Sequence, residues 1–224
     1  MWDWLKLYKK PIHGLVQTFN QHATIPPQTP ASQLKFLVID IETTGFDAKK
    51  DHIVSIGWVP VIQLEIQLAR AEHCLIQCPI SVGQSAVFHG LHDRDLREAR
   101  ELASVMTELL EKYSSYVFVA HHSEIEQKFL QMACKKCFDS TAQLKFLDTM
   151  LIEWQRLHFR QLPINHKTLQ LSACLNRHAL PSGQQHNALA DAYSCSLLLL
   201  SQIKQSCDQF ITLDQLQKLS AKRL

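Results

Sequence analysis

The stretch LKFLVIDIETTG (34–45) places two acidic residues at the end of a run that reads as a buried strand. Residues 34–40 are short, apolar and rich in β-favouring side chains, bounded by polar and turn-forming positions. Side chains alternate along a strand, so Asp40 and Glu42 point the same way while Ile39 and Ile41 face the opposite layer. Two neighbouring carboxylates repel each other, and beside apolar residues that is costly unless a cation neutralises them. Oxygen ligands suit Mg²⁺ or Mn²⁺, and no Cys or His lies close enough in the chain to suggest zinc. The Thr-Thr-Gly that follows adds hydroxyls, backbone N–H groups and a permissive turn. Taken alone, a D-x-E is more simply read as a solvated strand end, so the weight falls on the rest of the chain.

Working outward, HIVSIGWVPV (52–61) is a second strand and the stretch from Leu64 to Cys78 a third, joined by short polar turns as in an antiparallel meander. Leu102, Val105, Met106, Leu109, Leu110 and Tyr113 recur at helical spacing. YVFVA (116–120) is a further strand, followed by a helix through Phe129 and Leu130, and helices are expected over about 145–159 and 167–177. A last helix carries Leu189, Ala192, Tyr193, Ser196, Leu197 and Leu200 on one stripe. This alternation predicts a layered α/β domain over 34–205, a mixed central sheet of about five strands flanked by helices. Ligands in such sheets gather at the carboxyl ends of the strands, which is where the acids lie. Residues 1–33 read as an arm with Trp2, Trp4, Leu5 and Tyr8 on one face and Pro26, Pro27 and Pro30 at its exit. Residues 206–224 read as a helical tail opened by a Thr212–Gln215 capping box.

With 46% hydrophobic and 20% charged residues, the composition is that of an ordinary globular protein. No apolar run approaches the ~20 residues a membrane span needs, and the first ten residues lack a leader's apolar core, so a cytoplasmic location is expected. Seven cysteines, an odd number, read as reduced thiols in that compartment. A net charge of +2 neither demands nor excludes a nucleic-acid partner, because a phosphate held through metal ions needs no large basic surface.

Two more acids sit in polar blocks downstream. VAHHSEIEQKFL (119–130) and HNALADA (186–192) place Glu126 and Asp191 near helix starts, where the macrodipole favours negative charge. His186 precedes Asp191 by five residues in the loop entering its helix, and an imidazole beside a metal cluster is a natural general base. Five blocks in order, D-I-E-T-T-G at 40–45, H-G-L at 89–91, A-H-H-x-x-I-E-x-x-F-L at 120–130, D-T at 148–149 and H-x-A-x-x-D-A at 186–192, resemble the DEDDh 3′–5′ exonucleases, typified by the proofreading epsilon subunit of bacterial DNA polymerase III. The resemblance covers about residues 35–203. It implies an RNase H-like fold and 3′–5′ removal of single nucleotides, released as nucleoside 5′-monophosphates. It also implies that Asp40, Glu42, Glu126 and Asp191 hold two divalent metal ions, with His186 deprotonating the attacking water. Thr43, Gly45, Phe46, His89 and Ile125 match the positions that surround the terminal nucleotide. Two positions depart from the family: Glu126 stands where Asp is usual, and His122 where Asn is commoner.

The expected partner is the single-stranded 3′ end of DNA, with RNA open, and a DNA polymerase or sliding clamp is a candidate protein partner through QLQKL (215–219). A helix covering the domain is the simpler reading of that tail. Cys134-x-x-Cys137 with Cys74-x-x-x-Cys78 has the look of a zinc set, but i,i+3 cysteines on a helix are more often packing residues. Two other functions stay open: a nucleic-acid-binding module that has lost its chemistry through Glu126, and an exoribonuclease acting on RNA or short oligonucleotides.

Overall fold

The computed structural model describes residues 12–183, 186–206 and 210–221. The expected aromatic face of Trp2, Trp4, Leu5 and Tyr8 lies outside them. Helix α1 (Ile12–His22) precedes the sheet strands β1 (Lys35–Thr43), β2 (Ile53–Ile62), β3 (Glu65–Ile66) and β4 (Glu72–Leu75). Short helices α2 (Ala86–His89) and α3 (Asp93–Leu96) lead to α4 (Leu102–Lys112), β5 (Val117–Ala120) and α5 (Glu124–Phe138). Then follow β6 (Phe146–Asp148), α6 (Thr149–Phe159), α7 (Leu171–Arg177), α8 (Ala188–Gln205) and α9 (Leu213–Leu219).

The sheet runs β3-β2-β1-β5-β6, with β4 beside β3 on the outer edge of β2. β1 pairs antiparallel with β2 and parallel with β5, and β5 pairs parallel with β6, so the sheet is mixed, as expected. Among the described residues it has six strands, where about five were expected. The third stretch divides, because a 3₁₀ turn at Leu68–Arg70 separates β3 from β4. The sixth strand is β6, inside the segment expected to be helix from about 145. Three residues are too few to show a strand period, and Asp148 closes the strand by capping α6.

Two apolar cores lie on opposite faces of the sheet. Leu37, Ile39 and Ile41 of β1 pack with α4, α5 and with Val16 and Phe19 of α1. Phe36 and Val38 pack with Cys195, Leu199 and Ile203 of α8 and Leu213 and Leu216 of α9. Helix α8 buries a stripe rotated from the expected one: Ala188, Ala192, Cys195, Leu199 and Ile203 are buried, whereas Tyr193 is exposed. Leu198 faces a separate cluster with Cys174 and Leu175 of α7, so α8 is packed on two sides and its polar arc is narrow. The described parts of both flanking segments pack on the domain, through Val16 and Phe19 before β1 and Leu213 and Leu216 in the tail. Ala31 N donates to Ile211 O and Leu213 N to Thr29 O, which zips the linker before β1 to the chain before α9. Both halves of the Thr212–Gln215 capping box form. Leu213 and Leu216 face the core, so QLQKL presents a packed helix face. Cys74 and Cys134 are core residues.

Candidate active site

The site begins where one row of β1 leaves the core. Phe36 and Val38 face α8, and Asp40 and Glu42 continue their row beyond the apolar packing. Helix α8 brings the third acid. Asn187 caps it by accepting the Ala190 N–H at 3.1 Å, and Asp191 lies in its first turn. One oxygen from each of Asp40, Glu42 and Asp191 falls within 4.8 Å of the others. The helix can approach this closely because Gly57 of β2 sits opposite Asp40 in the register. A Cβ at Gly57 would meet the backbone of Ala188 and Leu189 at 2.3 Å. The sequence marks Gly57 only as a glycine in a strand.

Glu126 arrives from the first turn of α5. It is 4% exposed, and its Oε2 has no hydrogen-bond partner among the described residues. It stands outside the 4.8 Å group of three, yet it acts on Asp40 more strongly than any other charge does. Without a cation these acids resist ionisation. Burial, then the charges of Glu126, Asp191 and Glu42, hold the Asp40 carboxyl well above its usual range. Burial and Asp191 push Glu42 up to about 7. Burial, with Asp148 and Glu42 adding to it, pushes Glu126 up to about 8, although its own backbone N–H opposes the rise. Asp191 is raised by burial too, offset in part by the His186 N–H, which donates to its Oδ2 at 2.8 Å.

Asp148 is a residue to which its D-T block assigned no role. It is buried, and its Oδ1 accepts the N–H groups of His122 at 3.1 Å and Met150 at 2.9 Å. Its Oδ2 accepts from Ser123 N at 2.9 Å and Ser123 Oγ at 3.1 Å. One carboxylate thereby ties the start of α5, which carries Glu126, to the start of α6. The tail reaches the same point, since Asp148 N donates to Ser220 Oγ at 2.6 Å.

The histidines divide by their bonding. His121 Nε2 lies 2.8 Å from the Leu169 carbonyl, which can only accept, so Nε2 carries the proton and Nδ1 accepts from Thr149 Oγ1 at 2.9 Å. Burial lowers its pKa, and both nitrogens are engaged, which makes His121 a neutral strut. His89 Nδ1 accepts the Leu91 N–H at 3.1 Å and its Nε2 lies 3.0 Å from Ser85 Oγ. His122 and His186 adopt left-handed φ of 74° and 63°, and both are exposed. The His186 ring meets Phe88 edge to face at 6.5 Å.

A cavity of about 510 Å³ gathers all ten residues named from the sequence: Asp40, Glu42, Thr43, Gly45, Phe46, His89, Ile125, Glu126, His186 and Asp191. Phe46 and Phe88 stand at its mouth, 87% and 68% exposed. Phe88 was not expected; its signal is an aromatic immediately before H-G-L. A Cβ at Gly45 would fall 2.5 Å from the Asp51 carboxylate, so that side chain would have to move.

A family model described as "Exonuclease" matches residues 37–199 of the chain. The PolC-type DNA polymerase III of Thermotoga petrophila is 27% identical over 158 residues, covering 70% of this chain and 11% of that protein. The 3′-5′ exonuclease DinG of Staphylococcus haemolyticus is 26% identical over 166 residues, covering 74% of this chain and 18% of that protein. The chain therefore spans between about a tenth and a fifth of the length of these relatives. Among solved structures, exonuclease X in complex with 5′ overhanging duplex DNA superposes with a TM-score of 0.63 at 20% identity, covering 83% of this chain and 99% of that one. E. coli exonuclease I in complex with a dT13 oligonucleotide gives 0.65 at 12% identity, covering 77% and 41%. These likenesses show the fold, an RNase H-like exonuclease sheet.

Proposed function

The chain belongs to the exonuclease family, and from that premise we propose that it removes nucleotides one at a time from the 3′ end of DNA, releasing nucleoside 5′-monophosphates. The observation that carries the reading is the convergence of four carboxylates in one cavity, with a buried Glu126 oxygen that no donor among the described residues satisfies. That donor set fits hard divalent cations, and the all-oxygen chemistry favours Mg²⁺ or Mn²⁺. Asp40, Glu42 and Asp191 would hold one ion, and Glu126 would complete the site for a second. Bound there, two such ions supply positive charge to the scissile phosphate, the entering water and the leaving 3′ oxygen.

The chain's own groups supply the rest. His186 stands at the mouth of the cavity and takes the proton of the entering water on a ring nitrogen. Its backbone N–H anchors the loop to Asp191, which keeps base and acid in one unit. Thr43, Gly45, Phe46, His89 and Ile125 enclose the terminal nucleotide, the exposed Phe46 ring offering a stacking face to its base. Two relatives named as a DNA polymerase III and a 3′-5′ exonuclease support DNA as the substrate and a place in replication or repair.

The test is a nuclease assay on 5′-labelled single-stranded DNA, duplex DNA and RNA with Mg²⁺ or Mn²⁺. A one-nucleotide ladder that stops in EDTA and on a 3′-blocked strand is expected. Cleavage of a closed single-stranded circle, or full activity after exhaustive chelation, would overturn the reading. Faster loss of RNA than DNA would reassign the substrate.

A further inference from the structure

A second concavity, of about 710 Å³, adjoins the active-site cavity, and Phe46 lines both. Its walls come from two places: Asp47 and Lys49 in the loop after β1, and Lys128, Met132 and Lys135 on α5. Residues 128, 131, 132 and 135 recur at helical spacing, so they form one stripe running along α5 away from Glu126. That arrangement also has an ordinary use. Lys128 pairs with Glu124 at 2.7 Å and Lys135 with Asp139 at 2.6 Å, as solvated helix faces do. Both pairs are exposed, however, and exposed pairs are worth little, so either ammonium can leave its carboxylate for a phosphate at small cost. The groove itself brings Lys49 from another element towards the same trough, and Asp47 is the acid that lines it. Asp47 lies 3.4 Å from Lys50, which partly neutralises it.

Resting on the exonuclease reading above, we propose that this groove carries the sugar–phosphate backbone of the strand whose 3′ end occupies the active site. Continuity decides the occupant. A strand entering the cavity past Phe46 must leave it on the 5′ side, and the adjoining trough offers ammonium groups for phosphates and Met132 for a sugar or base edge. At 1.5 Å per residue the stripe from Lys128 to Lys135 extends about 10 Å. At about 3.4 Å per stacked nucleotide this is room for roughly three nucleotides. The groove therefore sets a preference for oligonucleotides at least that long, which the catalytic cavity alone would not have.

The experiment compares the wild type with Lys128→Gln/Lys135→Gln and, as a control on the other face of the sheet, Lys218→Gln. Substrates are a dT2–dT10 series, a duplex with a recessed 3′ end, and the p-nitrophenyl ester of thymidine 5′-monophosphate, which fills the terminal site alone. In the wild type KM should fall with length and level off near dT4. The double variant should flatten that dependence and raise KM for dT10 roughly three- to tenfold. It should also reduce the slope of log KM against log salt by about 1.4, while hydrolysis of the ester and the Lys218→Gln variant change less than twofold. Unchanged KM and salt slope on dT10 would overturn the groove and leave the exonuclease reading standing. A rise in KM confined to duplexes with a recessed 3′ end would also overturn it, because the groove would then hold the complementary strand. A wild type that degrades no substrate in the series would instead bring down the function on which the proposal rests.

Discussion

Glu126 is one methylene longer than the aspartate usual at its position, and the structure buries it with one oxygen left without a hydrogen-bond partner among the described residues. Glu126→Asp should therefore draw the carboxylate back from its ion and lower kcat about tenfold or more, and Glu126→Ala should remove most activity together with metal affinity. Titration of Mg²⁺ against both turnover and heat of binding checks this, and an Glu126→Ala protein with wild-type turnover would remove Glu126 from the site. His186→Ala should cut kcat by about 10²–10⁴-fold with little change in KM, the usual worth of a general base. Single-turnover rates would show it, and near-normal chemistry would make His186 a structural residue. The gathering of the acids and His186 in one cavity was legible through the resemblance of five ordered blocks, since each acid alone, two apart on a strand or in the first turn of a helix, reads more simply as an ordinary strand end or helix start. Asp148 was not, because its partners His122 and Ser123 lie 26 and 25 residues away and its work is to cap, not to react.

Among the elements, α8 is positioned by an absence. Gly57 lacks the Cβ that would strike Ala188 and Leu189, so the helix crosses β2 with Asp191 facing Asp40. Gly57→Ala must push the start of α8 outward, since a backbone contact at 2.3 Å cannot be relieved by a rotamer change. The expected result is a loss of about 1–3 kcal/mol in urea unfolding and a much larger loss of turnover. A variant as active as the wild type would mean that α8 reaches the site by another support. Strand and helix order was readable from periodicity, as was the tail's capping box. The buried stripe of α8 was not, because a helix packed on two sides has no single apolar face to read. β6 escaped because three residues carry no period.

At the scale of the molecule, two groups of carboxylates act in opposite directions on stability. Glu42 and Glu126 titrate near 7 and 8 in the fold, above the ordinary 4.5, so the folded chain holds protons the unfolded chain has lost. Metal-free protein should thus lose stability as pH rises from about 4.5 to about 8. Glu153 has the other sign. Burial works against its charge, but His178, Arg177 and Arg156 outweigh burial and hold it down to about 2. Its contribution is complete above about 4.5 and is lost as pH falls towards 2. The metal-free protein should therefore be most stable near pH 5. Mg²⁺ at a hundred times its Kd should add about 2.7 kcal/mol at pH 8, roughly 5–10 °C in Tm, and far less at pH 5 where the site is protonated. Thermal melts across pH with Mg²⁺ or EDTA test this. A Mg²⁺ increment as large at pH 5 as at pH 8 would place the ion away from these acids.

The contact between Ser220 and Asp148 also bears on the order in which the protein is made. Chains are made from the N-terminal end at about 5–20 residues per second. Asp40, Glu42, Glu126 and Asp191 all precede Ser220 in the chain. Until Ser220 is joined, Asp148 lacks the hydroxyl that receives its N–H. The Asp148 carboxylate can be held by Ser123 and Met150 as soon as α5 and α6 form, whereas its N–H waits for a residue 72 positions further on, so this corner is the part of the site that synthesis completes last.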